Sequence, residues 1–381
     1  NITWTLSATA VTGEGTLVPS LGAGVVTDTT GNGNSASTST DNSVTYDATG
    51  PSVTIDQAGT QSDPTAVLPI EFTIIFSEAI DPATFDVGDV THSGTATGIT
   101  WSLATSDNVT WTLSATAVTT NGTLVPSIAA GVLADPLGNT NTASTSTDNS
   151  VTYDDTVPSI TSVHIESDII AYPNYARVGS VVSLTFTSDE AIQAPTVQIA
   201  GNTVVPTDTS GVGTAWLATY TMQATDTEGL VSLSISDIYD LVGIQATVDP
   251  VTATTDASWV QFYNSAPVLD PVSIASNNAN TYCARSGDTV TVTFTSDRRI
   301  LTPTVTIGTH AAVVTDLGGG TQTSWQATAT MNPSDPDGAA VAFTITGIED
   351  LAGNTAADVT ATTDGSSVMF YNSAPGLTAC I

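Results

Sequence analysis

The chain has 381 residues, with 37 acidic and 4 basic side chains, and its formal net charge is -33 at pH 7. This charge repels nucleic acid and anionic lipid, so nucleic acid is excluded as a direct partner, whereas divalent cations are attracted. Hydrophobic residues make up 40% of the chain, which is enough to form packed cores and argues against disorder. No apolar run approaches the ~18 residues of a membrane-spanning helix, so direct membrane insertion is not expected.

The predicted elements are strands from the beginning of the chain to its end. Threonine, serine, valine, alanine and glycine dominate the composition, and residues that favour helices are scarce. Short alternating segments recur between clusters of Gly, Pro, Asn and Asp, which is typical of strands joined by turns. No segment has a sustained apolar period of 3.6 residues. Composition and pattern together predict an all-β protein.

The first repeat pair covers residues 1–50 and 108–157, which match without a gap at 37 of 50 positions. Both copies contain the pattern DNSVTYD, at Asp41–Asp47 and at Asp148–Asp154. Val and Tyr alternate there with Ser and Thr, as in a half-buried strand. We therefore interpret residues 1–50 as the C-terminal half of a domain. Its front half is either missing from the sequence or supplied by another chain.

A second, diverged repeat pair follows. The segment FYNSAP occurs at Phe262–Pro267 and again at Phe370–Pro375, and TFTSD occurs at Thr185–Asp189 and again at Thr293–Asp297. Both pairs have an offset of 108 residues. Together with the first pair, these spacings predict a half domain at 1–50 and domains at 51–157, 158–267 and 268–381, the last with a C-terminal tail.

The last of these domains contains about seven short strands. Asp288–Ser296 is an example, with Val290, Val292 and Phe294 on the inner face and threonines on the outer face. About seven alternating strands per hundred residues is typical of an immunoglobulin-like sandwich. The sequence therefore predicts tandem immunoglobulin-like β-sandwiches, stacked end to end as an elongated rod.

Four segments carry a more specific resemblance: FTIIFSEAI at 72–80, TFDVGDV at 84–90, ADPLGNTNTAS at 134–144 and DLAGN at 350–354. The sequence resembles the bacterial immunoglobulin-like repeats of large secreted adhesins and surface fibre proteins. The resemblance implies an extracellular protein at a bacterial cell surface, with a structural or adhesive role in a stalk or fibre. It also implies Ca²⁺ at some domain junctions. The implied partners are other copies or further repeats, and a host, glycan or matrix target.

Acidic residues collect where a linker enters the next sandwich, because the B–C and F–G loops share that pole. The pole of the domain at 51–157 is predicted to gather Asp47, Glu78, Asp81, Asp135 and Asn139. The pole of the domain at 158–267 is predicted to gather Asp154, Asp155, Asp189, Glu190, Asp237 and Asp240. Ca²⁺ takes about six to eight oxygen ligands, so both sets are candidate Ca²⁺ sites. The alternative is that these acids are solvated or close turns through backbone N–H groups. Both interpretations stay open.

The junction into the last domain has a different charge pattern. Its linker, Asn264–Pro267, contains no acid, and Arg298 and Arg299 are expected near Glu349 and Asp350. Guanidinium groups neutralise carboxylates through charge-assisted hydrogen bonds. We predict ion pairs at this junction and no bound calcium.

The two cysteines, Cys283 and Cys380, are expected at the same pole of the last domain. A disulfide between them would suit an extracellular compartment. The alternative is two free or intermolecular thiols.

Enzyme motifs are absent from the sequence, so no catalytic function is predicted. The main hypothesis is a stalk or fibre of sandwiches. One alternative is a self-assembling filament subunit in which a neighbouring chain completes residues 1–50 by strand addition. The other is a binding module for glycan or protein, which would need a solvent-facing aromatic side chain. The six tryptophans are expected mostly in cores.

Overall fold

The computed structural model describes residues 3–373, and nearly all of its regular structure is β. Contacts divide the chain into two compact units, one ending at Thr156 and one beginning at Val157. The buried apolar residues of the described part form three separate cores, within residues 53–153, 163–262 and 269–370. No helix in residues 3–373 is long and apolar enough to cross a membrane. The predicted class of tandem immunoglobulin-like sandwiches is confirmed.

The half sandwich, residues 3–50, has little regular structure. Its two strands are antiparallel partners and are β1 (Gly15–Leu17) and β2 (Val44–Tyr46). Trp4 is 87% exposed and Leu6 is 79% exposed, and Val44 is exposed as well. The apolar positions of this segment therefore lie in solvent.

The first sandwich begins at Pro51 and ends at Tyr153. It also contains short 3-10 turns at Pro82–Thr84 and Val87–Asp89. Its strands are β3 (Val53–Gln57), β4 (Ile70–Phe76), β5 (Val90–His92), β6 (Thr100–Thr105), β7 (Thr110–Ala117), β8 (Gly122–Leu124), β9 (Pro126–Ile128) and β10 (Val151–Tyr153). The sheet β3-β4-β7-β6 faces the pairs β5-β9 and β10-β8 across the core.

The second sandwich contains three sheets, ordered β11-β13-β17-β16, β12-β20-β18 and β15-β14-β19. Its strands are β11 (Ile160–Ser167), β12 (Tyr175–Arg177), β13 (Val181–Ser188), β14 (Thr196–Ile199), β15 (Asn202–Val204), β16 (Thr207–Asp208), β17 (Ala215–Thr221), β18 (Gly229–Leu230), β19 (Leu233–Ser236) and β20 (Gln261–Tyr263). Residues of β13 alternate between the core and the outer face, as the period of two requires.

The third sandwich repeats this arrangement, with sheets β21-β23-β27-β26, β22-β30-β28 and β25-β24-β29. Its strands are β21 (Leu269–Ser276), β22 (Cys283–Ala284), β23 (Thr289–Ser296), β24 (Thr304–Ile307), β25 (His310–Ala311), β26 (Val313–Asp316), β27 (Ser324–Thr330), β28 (Ala339–Ala340), β29 (Phe343–Thr346) and β30 (Met369–Phe370).

An early and a late segment of each sandwich pair in parallel. The pairs are β12 with β20 and β22 with β30, and in the first sandwich Thr65 forms an isolated parallel bridge with Tyr153. Within residues 3–373, all other strand pairs are antiparallel. The parallel pairs join the part of the chain that enters each sandwich to the part that leaves it.

The tryptophans do not all lie in cores. Trp111, Trp216 and Trp325 are buried, as predicted. Trp4 is exposed, and Trp259 is partly exposed and lies edge-on against Tyr175 with ring centroids 5.6 Å apart. The two exceptions lie in the half sandwich and just before the last strand of the second sandwich.

Candidate functional site

The first candidate site is built on the turn from Asp135 to Asn139. The Asp135 Oδ1 atom accepts hydrogen bonds from the backbone N–H groups of Leu137 (2.8 Å) and Asn139 (2.9 Å). Its Oδ2 atom accepts one from Asn139 Nδ2 (2.8 Å). Gly138 has a φ of 92°, which suits glycine. Asp135 therefore closes the turn with the whole of its carboxylate, as the turn interpretation predicted.

The carboxylate of Asp135 is buried and ionised. Burial alone would raise its pKa, but the hydrogen bonds from the Asn139 side chain and from the turn backbone hold the pKa below its usual value. The turn thus places a fixed negative charge under the surface of the first sandwich.

Two more carboxylates meet Asp135 at this pole. Asp47 follows β2, Glu78 follows β4, and one carboxylate oxygen from each of the three acids lies within 4.8 Å of the others. Asn139 connects two of the segments, because its Nδ2 also donates to the carbonyl oxygen of Asp47 (3.3 Å). The linker, the loop after β4 and the turn thus converge, as the sandwich topology predicted.

Glu78 is the residue of this cluster whose pKa is raised. Burial raises the pKa of Glu78, and the negative charges of Asp47 and Asp135 raise it further. Glu14 adds a smaller contribution in the same direction. Residues 1–156 contain neither lysine nor arginine, so no basic side chain of this unit offsets these charges.

Asp81 lies in the loop after β4 and closes a local turn; its assignment as a Ca²⁺ ligand stays a prediction. Its Oδ1 atom accepts a hydrogen bond from the backbone N–H of Ala83 (3.0 Å) and caps the 3-10 turn at Pro82–Thr84. Asp81 also donates its backbone N–H to the carbonyl oxygen of Ala134 (2.9 Å), which ties this loop to the turn that carries Asp135.

The acids at the second predicted site divide between the two compact units. In the first unit, Asp154 Oδ1 accepts a hydrogen bond from Asn121 Nδ2 (2.5 Å), and Tyr153 donates to Asp155 Oδ2 (3.2 Å). These contacts hold both side chains against the end of the first sandwich.

The remaining acids of that set lie in the second unit. A carboxylate oxygen of Glu190 lies within 4.8 Å of one from Asp240. Asp189 accepts two hydrogen bonds from Ser159, through its backbone N–H (2.8 Å) and its hydroxyl (2.7 Å), and Asp237 is exposed. The assignment of the two groups to one Ca²⁺ site stays a prediction.

Asp240 differs from its counterparts in the other turns. Its Oδ1 atom accepts from the backbone N–H groups of Val242 (2.9 Å) and Ile244 (2.7 Å), as Asp135 Oδ1 accepts from Leu137 and Asn139. Ile244 replaces the asparagine that would donate to Oδ2, and this buried oxygen accepts no hydrogen bond within the described part of the chain. The substitution leaves one carboxylate oxygen of the turn free.

The joint between the second and third sandwiches is organised around Arg298, whose side chain is only 8% exposed. Its guanidinium donates to Asp297 Oδ2 (2.9 Å) and to the carbonyl and hydroxyl oxygens of Ser265 (both 3.2 Å). It also lies 3.8 Å from Asp350 Oδ2 and 4.2 Å from the ring centre of Tyr263. The arginine therefore connects the third sandwich to the linker.

The other residues of the predicted ion pairs lie elsewhere. Arg299 is exposed and donates to Gln322 Oε1 (3.0 Å). Glu349 accepts the backbone N–H of Leu301 with its carbonyl oxygen (2.8 Å). Of the residues predicted to pair, Arg298 and Asp350 are the two that the structure brings to the linker.

Two residues of this joint were not predicted. Glu228 Oε1 accepts hydrogen bonds from the backbone N–H groups of Asn264 (2.7 Å) and Ser265 (2.8 Å), and it lies 3.7 Å from Arg298. Arg177, in the second sandwich, donates to the carbonyl oxygen of Gly353 in the third. A signal existed for Glu228, because an acid also precedes a glycine at Asp337, which binds the second copy of the linker in the same way.

The predicted disulfide remains a prediction. Cys283 lies in β22, and Cys380 lies outside the described residues.

No protein-family model and no curated protein matches the chain. Solved structures similar to it include a 1.5-MDa bacterial ice-binding adhesin, with 17% identity over 84% of this chain and 98% of that one and a TM-score of 0.37. A Ca²⁺-stabilized adhesin of an Antarctic bacterium is 19% identical over 91% of this chain and 80% of that one, with a TM-score of 0.32. An I-band fragment of titin is 8% identical over 85% of this chain and 99% of that one, with a TM-score of 0.31.

Proposed function

We propose that this chain is part of an extracellular structural or adhesive protein of a bacterial surface, and that its sandwiches form a stalk or fibre. Tandem repeats with separate cores support this role, and so does the large acidic excess. Its partners in this role are other copies or further repeats, and a host, glycan or matrix target.

We further propose that Ca²⁺ stiffens the joint between the half sandwich and the first sandwich. The observation that carries this proposal is the convergence of Asp47, Glu78 and Asp135 in a unit without lysine or arginine. Carboxylate oxygens are the ligands that Ca²⁺ prefers, and backbone carbonyls and water complete its shell of about six to eight. A bound cation would order the linker against the loop after β4 and the turn.

Thermal unfolding of the chain with CaCl₂ and with a chelator tests this proposal. Binding to the folded state alone stabilises by about 2.7 kcal/mol at a free ion concentration of ~100 times the dissociation constant. We expect a higher melting temperature in calcium for the transition of residues 1–156, and loss of most of this shift in Glu78→Gln.

Glu71→Gln is the matched control for this experiment. Glu71 lies in β4, the strand that precedes Glu78, and outside the three-carboxylate cluster, so its substitution removes the same charge. We expect Glu71→Gln to keep the calcium shift. Equal melting curves in calcium and chelator for the unmodified chain would refute the proposal that Ca²⁺ binds at this joint.

A second candidate function, the filament subunit, is favoured by the exposed face of the half sandwich. An open groove of about 670 Å³ is lined by apolar side chains that include Leu6, Leu17, Val44 and Tyr46. The equivalent residues of the first sandwich, 107 positions later, are Leu113, Leu124, Val151 and Tyr153, and all four are buried.

Strands from residues 51–107 cover those equivalent positions. In the first sandwich Leu113 of β7 pairs with Phe72 of β4 on one side and with Leu103 of β6 on the other. We propose that a segment equivalent to residues 51–107 covers the half sandwich by strand addition, and that in a filament a neighbouring chain supplies it.

Binding of a labelled peptide with the sequence of residues 51–107 tests strand addition. We expect saturable binding to the whole chain, measured by fluorescence anisotropy, and loss of that binding in Leu6→Asp. The control is Val67→Asp, which changes an exposed residue of the first sandwich in the same way. Equal binding to the Leu6→Asp chain would contradict the proposal.

A further inference from the structure

The two joints described above are built on one frame. In each, the asparagine of the turn donates to a linker carbonyl, Asn139 to Asp47 (3.3 Å) and Asn354 to Tyr263 (3.2 Å). In each, the backbone N–H three residues before a buried isoleucine donates to a carbonyl oxygen at the start of the sandwich, Ser77 to Ser52 (2.9 Å) and Asp297 to Val268 (3.1 Å). The isoleucines are Ile80 and Ile300. Counting from Ile80 and Ile300 places Glu78 and Arg298 at the same position of the frame.

This position has opposite charge in the two joints. Glu78 lies among Asp47 and Asp135, with one carboxylate oxygen of each of the three acids within 4.8 Å of the others. Arg298 lies among Asp297, Glu228 and Asp350, with distances of 2.9, 3.7 and 3.8 Å. Both joints gather carboxylates around this position, but only the second supplies its own positive charge.

The geometry of Arg298 fits a structural cation rather than a solvated side chain. The guanidinium donates to both oxygens of Ser265 in the linker and lies over the Tyr263 ring. The planar group satisfies several acceptors at once, which a lysine ammonium does not do with the same geometry. Burial in a ring of acids strengthens each of these interactions.

We infer that the residue at this position decides whether a joint requires a divalent cation. Arg298 is the built-in cation of the joint at 264–267, which is therefore closed without metal, whereas Glu78 leaves the joint at 47–51 dependent on one. The second half of this inference rests on the calcium proposed above, and the first half rests on the contacts of Arg298 alone.

Hydrogen exchange of the full chain, followed by mass spectrometry in CaCl₂ and in chelator, tests the inference. The reporters at one joint are the amides of Asn264, Ser265 and Val268, which bond to Glu228 and Asp297. We expect their exchange to be the same with calcium and with chelator. Slower exchange in calcium at these amides would overturn the inference without any variant.

Substitutions of Arg298 supply the direct test. Arg298→Gln is expected to speed exchange at these amides about tenfold or more under both conditions, because the acids lose their partner. Arg298→Glu is expected to speed exchange in chelator and to regain protection in calcium. Arg299→Gln is the matched control. Arg299 is the exposed neighbour of Arg298, and its side chain contacts Gln322 and not the linker. Unchanged exchange in Arg298→Gln, or no calcium response in Arg298→Glu, would overturn the inference.

The reciprocal variant, Glu78→Arg, is measured at the amides of Ala48, Thr49 and Ser52. We expect these amides to be as protected in chelator as the unmodified chain is in calcium, and a remaining calcium response would count against the inference. If the unmodified chain shows no calcium response at 47–52, the calcium proposal fails. The Arg298→Gln result still decides the role of Arg298 in that case.

Discussion

The two copies at residues 3–50 and 108–156 place nearly the same sequence in two environments. Leu6 is 79% exposed and Leu113 is fully buried, although the residues around them are almost identical. The difference comes from β4 and β6, which flank Leu113 on both sides and have no counterpart against Leu6 among the described residues. Burial in this fold is therefore a property of strand partners far away in the sequence, and not of the segment itself.

Turn geometry, in contrast, is the same in both copies. Asp28 Oδ1 accepts the backbone N–H of Asn32 (3.0 Å), as Asp135 Oδ1 accepts that of Asn139 (2.9 Å). The side-chain amides also donate to Oδ2 in both turns, at 3.0 and 2.8 Å. The turn forms with or without a core beneath it, because all of its partners lie within five residues.

The largest expected effect separates the two leucines. Leu113→Ala removes a buried side chain and leaves a cavity, which costs about 2–5 kcal/mol. Leu6→Ala removes an exposed side chain, and its effect should lie within about 0.5 kcal/mol. Denaturant unfolding of both variants measures the difference. Similar losses would show that the half sandwich has a core of its own.

A smaller effect is expected at the two turn asparagines. Asn139→Ala leaves the buried Asp135 oxygen without its donor and frees the linker carbonyl, for a cost of about 2 kcal/mol. Asn32→Ala acts on exposed groups and should cost less than about 1 kcal/mol. The same unfolding experiment compares them. A larger loss in Asn32→Ala than in Asn139→Ala would contradict the expectation that the buried turn contributes more to stability than the exposed one.

The smallest effect concerns Glu14, which occupies the position of Asn121 in the other copy. Glu78 has a raised pKa, so in chelator its repulsion is relieved as the pH falls from 7 toward the ordinary glutamate range. The stability of the unmodified chain should therefore rise relative to Glu78→Gln over that window. Glu14→Gln keeps an acceptor for Thr49 but removes one negative charge, and it should weaken this pH dependence slightly.

Denaturant unfolding at pH 7, 6 and 5 checks the direction of this pH dependence. It compares the free energy of unfolding of the unmodified chain with those of Glu78→Gln and Glu14→Gln. The folded state binds more protons than the unfolded state in this window, so stability is lost as the pH rises through the folded-state pKa. A gain of stability with rising pH, relative to Glu78→Gln, would be the opposite of the expected result.

The fold was predictable from the sequence because alternation is local. Asp288–Ser296 was predicted as a strand with Val290, Val292 and Phe294 inward, and the structure has Thr289–Ser296 with these three side chains buried. The repeats supplied the domain boundaries. Trp4 is the exception. Its alternating pattern predicts burial, but the described residues include no strands against the half sandwich like those that bury the equivalent Trp111.

The candidate site was predictable in part. The topology of a sandwich places the linker, the loop after β4 and the turn at one pole, and Asp47, Glu78 and Asp135 do converge there. Glu228 and Arg177 were not predicted, because they contact residues 36 or more positions away through loops whose course the pattern does not specify. The local hydrogen bond of Asp81 was not predicted either. Topology placed Asp81 at this pole, and the structure adds that its side chain caps the 3-10 turn that follows it.

The parallel pairs between entering and leaving segments have a mechanical consequence. In the second sandwich Tyr175, Ala176 and Arg177 pair in register with Gln261, Phe262 and Tyr263. Pulling on the two ends of this sandwich drives parallel strands past each other, so their hydrogen bonds are loaded in shear and must break together. An antiparallel hairpin pulled from its open end would instead unzip one bond at a time. The parallel pairs of the second and third sandwiches thus provide resistance to tension along the chain.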